Sequence, residues 1–132
     1  MAARFFVDEN DLGLGQALSK VRDSVVFPGH PDLAAVPRGS LDDDWLPVIG
    51  SNALVVITRD RRIRYRPVER RLWIEHGVRG FVLTGRRSQS TADSLAILER
   101  HWTRIEAVIS DRGDGPWMYA VTENPLREIP LS

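Results

Sequence analysis

At 132 residues and 42% hydrophobic, the chain has the size and composition of one globular domain, far from a disordered profile. Cysteine is absent, which excludes disulfides, thiolate metal sites and cysteine nucleophiles and agrees with a reducing compartment. Net charge is zero but unevenly spread: residues 59–87 carry ten arginines against three acids, while both flanks are acidic.

Apolar runs such as Ala53–Ile57 fall far short of the roughly 20 residues a membrane helix needs. Charge also arrives too early at the start for a signal peptide, so a cytoplasmic protein is expected. Arg4–Val7 is a short aromatic and β-branched run that reads as a buried strand, and it leads into Asp8-Glu9-Asn10-Asp11. Such residues cap helices, and Leu14, Leu18 and Val21 then follow at helical spacing, predicting a helix over 11–21. Ser24–Phe27 is a second strand, and Pro28–Ser40, with three prolines and two glycines, is an irregular loop.

Asp42-Asp43-Asp44 opens the next element. Pro47 fits only a first turn, which predicts a helix starting near Asp43 or Asp44 and ended by Gly50 and Asn52. Ala53–Thr58 is the continuous apolar strand expected when both faces are covered. Arg66–His76 is a helix with Val68 and Leu72 inward, and Gly80–Thr84 a further strand. Ser90-Thr91-Ala92-Asp93 is a capping box before a long helix whose Leu95, Leu98, Trp102, Ile105 and Ile109 alternate at spacings of three and four. Trp117–Val121 and Arg127–Leu131 are closing strands, antiparallel because the link between them is short.

Strands alternating with helices predict an α/β, three-layer sandwich with a mostly parallel central sheet, formed by a single domain over residues 1–132. Ligands of such sheets bind beyond the carboxyl ends of the strands. Asp8 follows the first strand directly, and Asp60 follows the third after Val-Val-Ile-Thr-Arg. Asp44, at a helix N-terminus, can lean over the same edge. Each has a plainer reading, as a helix cap or turn residue, and Asp42 and Asp43 read as solvated loop charges. Gathered together, three carboxylates repel one another unless a cation joins them, and hard oxygen ligands suit Mg²⁺ or Mn²⁺.

Phe5-Phe6-Val7-Asp8-Glu9-Asn10 resembles the opening strand and D-E-N of PIN-like domains. The stretch from Asp44-Trp45-Leu46-Pro47 to Val55-Val56-Ile57-Thr58-Arg59-Asp60 resembles their block of aspartate, apolar helix, apolar strand and T-x-D. The chain looks closest to the compact branch that includes VapC-type toxins. That resemblance implies a Mg²⁺- or Mn²⁺-dependent endoribonuclease of a toxin–antitoxin pair, with RNA as substrate, a cognate antitoxin as partner and a homodimer as a further state. It places Asp8, Asp44 and Asp60 as catalytic metal ligands and Thr58 as the supporting hydroxyl. Two departures stand out. Arg62 occupies the position of a further acid, and the family's middle-helix glutamate has no counterpart, leaving Asp43 and Glu9 as candidates for that carboxylate.

Arg59, Arg61, Arg62, Arg64 and Arg66 follow the acidic edge and suit an RNA backbone; the alternative is that they solvate a helix face or balance nearby acids. Tyr65 among them suits burial or base stacking. His30, His76 and His101 show no metal-ligand spacing. Trp102 reads as core, and Trp45 and Trp73 as core or partner contacts. The departures also motivate a second reading, a catalytically silent PIN-like module that binds RNA or a protein. A phosphoacceptor receiver domain is disfavoured because the only lysine is Lys20.

Overall fold

The computed structural model describes residues 4–8, 12–85 and 90–131. Its elements are β1 (Phe5–Val7), α1 (Leu12–Val21), β2 (Val25–Val26), α2 (Asp42–Ser51), β3 (Val55–Thr58), α3 (Pro67–Glu75), β4 (Arg79–Leu83), α4 (Thr91–Arg112), β5 (Trp117–Val121) and β6 (Arg127–Glu128). A one-turn 3₁₀ helix over Arg61–Arg64, not expected from the sequence, precedes α3. The strands form one sheet in the order β2-β1-β3-β4-β5-β6. Neighbours run parallel except β5 and β6, which pair antiparallel through Tyr119 with Glu128 and Ala120 with Arg127. The α/β sandwich with a mostly parallel sheet is therefore as expected, although the last strand is only two residues long.

Successive strand residues point to opposite faces, so one strand feeds two cores. Phe5, Val7, Val55, Ile57, Phe81 and Leu83 pack under α1 and α4. Phe6, Val56, Val82, Met118 and Ala120 pack under α2 and α3. Both faces are covered, which is why the central strands read as unbroken apolar runs. Each fully buried large apolar side chain contributes roughly 1.5–3 kcal/mol of transfer free energy. Trp45 and Trp73, like Trp102, are core residues: Trp45 lies against Phe6 with ring centroids 4.9 Å apart, and Trp102 against Phe5 at 5.0 Å.

The capping box of α4 forms as expected. Asp93 N–H donates to Ser90 Oγ at 3.0 Å, and Ser90 N–H donates back to Asp93 Oδ2 at 3.3 Å. The buried stripe of α4 is Ser94, Ile97, Leu98, Trp102, Ile105 and Val108, with Leu95 and Ile109 only partly covered. On α3 the expected inward position Val68 is exposed, and Trp73 is the buried residue. Trp73 can pack close against the sheet because Gly80 faces it. A Cβ there would stand 2.7 Å from the Trp73 ring and 2.8 Å from the Val56 carbonyl oxygen. Pro28–Ser40 contains turns but no helix or strand. Among the described residues, no helix is long and apolar enough to cross a membrane.

Candidate functional site

The chain leaves β1 through α1 to β2 on one side, and returns through α2 to place β3 on the other. The order of the sheet therefore reverses at β1 and β3, and in open parallel sheets a crevice opens outside the strand ends at that point. Val7 pairs with Ile57, so the residues that follow, Asp8 and Thr58, emerge side by side.

A short hydrogen-bonded line joins them. Thr58 Oγ1 donates to Asp8 Oδ2 at 2.6 Å and accepts the Asp60 N–H at 3.0 Å. One hydroxyl thus couples the two aspartates expected at this edge. Asp60 Oδ1 in turn accepts the Arg62 N–H at 3.1 Å, capping the 3₁₀ turn. Asp8, Thr58 and Asp60 are 2%, 0% and 6% exposed, so this polar line lies inside the protein. A hydrogen bond to a charged group is worth roughly 1.5–3 kcal/mol, and stranding a buried partner costs at least as much as making a neutral bond gains.

Around the line lies a cleft of about 530 Å³, lined by Asp8, Asp42, Asp43, Asp60 and Glu69 together with Arg62 and Arg66. Leu41 and Val68 form an apolar lip, both well exposed. Arg66 is the hub. Its Nη1 stands 3.2 Å from Asp60 Oδ2 and 3.5 Å from Asp42 Oδ2, and its Nε 3.6 Å from Glu69 Oε2. Arg62 Nε is 3.6 Å from Asp60 Oδ1, with most of its side chain in solvent. Asp42 is further anchored to the core, because Trp45 Nε1 donates to its Oδ1 at 3.1 Å. Burial holds the Asp42 carboxyl above the usual aspartate range, and the charges of Asp60 and Glu69 push the same way. Trp45 and Arg66 pull it back in part.

Asp44 is elsewhere. Its Oδ2 accepts the Leu41 N–H at 3.0 Å, and it does not line the cleft. The physical reason is helix phase. The helix begins at Asp42 rather than at Asp43 or Asp44, and two residues correspond to roughly 200° around a helix. Asp42 consequently turns to the cleft and Asp44 turns back over the N-terminus. Asp43 is exposed at the cleft margin, and Glu9 lies outside the described residues. Asp42, Glu69 and the hub position of Arg66 were missed in sequence. The signal for Glu69 and Arg66 was their place in the first turn of α3, whose docking angle no local pattern encodes.

The other arginines have varied employment. Arg61 Nη1 donates to the Gly85 carbonyl at 3.1 Å, and Arg64 stacks on Tyr65 with 4.6 Å from guanidinium carbon to ring centre. Arg70 ties the Arg64 carbonyl to that of Pro130, at 2.9 Å each. Tyr65 is exposed rather than buried. Arg59 is half-buried and does not line the cleft.

Five carboxylates facing two guanidinium groups leave the cleft short of positive charge. Oxygen-only donors of this kind suit a hard divalent cation, and Arg66 already occupies the middle of three of them as a cation of the chain's own. As they lie, no three acidic or histidine side chains among the described residues are close enough to share one ion. A guanidinium is far broader than Mg²⁺, and acids arranged around it are spaced for it. Comparison with curated proteins and with solved structures finds no match. The profile of the family described as PIN like domain matches residues 3–85, a span that runs from before β1 to just past β4 and takes in every residue lining the cleft, and the chain belongs to that family.

Proposed function

We propose that this protein is a divalent-metal-dependent endoribonuclease that hydrolyses RNA phosphodiester bonds, and that it serves as the toxin of a VapC-type toxin–antitoxin pair. The observation that carries the reading is the buried Asp8–Thr58–Asp60 line, opening into an acidic cleft at the strand ends of a PIN-like sheet. Asp8, Asp60 and Asp42 are the residues that would hold Mg²⁺ or Mn²⁺, with Glu69 and Asp43 at the margin. When bound, such an ion supplies activation of water and neutralisation of charge at the scissile phosphate.

The chain's own residues do the rest. Thr58 fixes the rotamer of Asp8 and the turn that aims Asp60, so both carboxylates are oriented before any substrate arrives. Arg62, largely in solvent, and Arg66 are within reach of a phosphate backbone crossing the cleft. The exposed Leu41 and Val68 give a base an apolar surface to rest on. A protein antitoxin, a homodimeric state and residence in the cytoplasm belong to the same reading.

The test uses purified protein and single-stranded RNA with Mg²⁺, Mn²⁺ or a chelator. Cleavage is expected with metal alone. It should fall at least about 100-fold in Asp8→Asn and in Asp60→Asn, each still folded by circular dichroism. Undiminished cleavage by either variant would sink the assignment.

One observation favours a second reading: Arg66 and Arg62 already pair with Asp60, and Arg66 with Asp42 and Glu69 as well. A silent module that binds RNA or a protein would show RNA binding that survives chelation, with no products at any metal concentration.

A further inference from the structure

Among the described residues Arg66 is the one guanidinium within salt-bridge distance of all three of Asp42, Asp60 and Glu69, residues that reach the cleft from three different segments, α2, the turn after β3, and α3. Its side chain is 38% exposed, while those of its three partners are 23%, 5% and 16% exposed. The cation is therefore at the mouth, with a path outward, and the carboxylates are on the inside. Arg66 is also the N-cap of α3, and its side chain makes no capping bond to that helix. Within α3 the guanidinium is held by the 3.6 Å ion pair with Glu69 and not by a capping bond.

From this geometry we infer that Arg66 is an exchangeable internal counter-ion: it occupies the cleft in place of a divalent cation and must withdraw for one to bind. The inference rests on the cation-binding reading of the cleft. Two physical points support it. A broad, flat guanidinium paired with three carboxylates through Nη1 and Nε keeps them much further apart than the 2.0–2.6 Å coordination shell of Mg²⁺ or Ca²⁺ permits, in keeping with the spacing of the described acids. Moreover, a monovalent and a divalent cation sharing the same oxygens would repel one another in a partly buried site. Exchange releases a guanidinium at the lip, beside Arg62, where it can pair with a phosphate. Arg66 is thus a positioning residue whose partner changes from carboxylate to phosphate, and loading of the cation and readiness for an anionic chain become one event.

The experiment is Mn²⁺ titration by calorimetry on wild type, Arg66→Gln and Arg66→Lys, with ¹⁵N NMR of the arginine Nε–Hε groups during Mg²⁺ titration. Arg66→Gln should bind Mn²⁺ about tenfold more tightly than wild type, since its competitor is gone. Arg66→Lys, a point charge unable to reach three carboxylates at once, should fall between them. The Arg66 Nε–Hε peak, identified by its loss in Arg66→Gln, should move as Mg²⁺ saturates. Equal or weaker Mn²⁺ binding in both folded variants, or a saturated protein whose Arg66 peak stays in place, overturns the exchange while leaving the cation reading intact. No binding by any of the three removes both. Should Arg66→Gln fail to fold, the lysine variant carries the comparison.

Discussion

The two faces of this sheet are built from the same strands but put to different uses. Under α1 and α4 the side chains are spent on packing. Phe5 meets Trp102, and Phe81 meets both Trp117 and Tyr119, with the 22-residue α4 lying across them. Under α2 and α3 the same alternation buries Trp45 and Trp73, but the first turns of both helices overhang the strand ends and carry Asp42, Arg66 and Glu69 there. The α1–α4 face closes the fold, and the α2–α3 face turns its helix starts into chemistry. Because helix N-termini favour acids, Asp42 and Glu69 sit where the backbone helps them. The arginine between them is the exception.

Substitutions can sharpen this contrast. The largest effect should come from the packing face. Leu98→Ala, in the fully buried stripe of α4, should cost about 3 kcal/mol in denaturant unfolding while leaving Mn²⁺ affinity of the folded fraction unchanged. An equal loss of affinity would show that the two faces are not independent. Thr58→Val comes next. It keeps the shape but removes the hydroxyl between Asp8 and Asp60, and about 2 kcal/mol of stability should go, this time with weakened Mn²⁺ binding and slower RNA cleavage. A variant that loses stability alone would reduce Thr58 to a packing residue.

The smallest effect should be a gain. Asp42 faces Asp60, Glu69, Arg66 and the Trp45 indole, and its carboxyl is held above the ordinary 3.8 by burial and by those acids. A carboxyl raised in the folded state favours folding while protonated, and that contribution disappears as pH rises through its folded value. Asp42→Asn keeps the acceptor for Trp45, so at pH 7 the metal-free variant should be more stable by less than about 1 kcal/mol. The difference should vanish by pH 3, as read from thermal melts across pH. Destabilisation at pH 7 would mean that the Arg66 contact outweighs burial.

Much of this arrangement was legible in the sequence. Val55-Val56-Ile57 announced a strand covered on both sides, and Asp8 and Asp60 could be placed at one edge because both follow apolar runs that pair in parallel. Ser90 and Asp93 marked the start of α4 to the residue. The rest depended on tertiary geometry. Which of three consecutive aspartates turns away from the cleft is decided by a helix start one or two residues earlier than Pro47 suggested, a difference local propensity does not resolve. Val68 looked inward by spacing, yet α3 rolls on Trp73 and presents Val68 to solvent. Arg66 and Glu69 reach the acids only because of that roll. No short-range pattern contains it.

Gly80 gives this dependence an unexpected address. It is the second residue of β4, where its missing side chain is the space into which the Trp73 ring fits. The height of α3 above the sheet is set by that empty volume, and Arg66 and Glu69 ride on the same helix. A substitution scan scored by cleft chemistry would therefore flag Gly80 as though it belonged to the site. The apparent functional footprint of this protein should extend to a residue that touches none of the charges, because it sets the clearance on which their spacing depends.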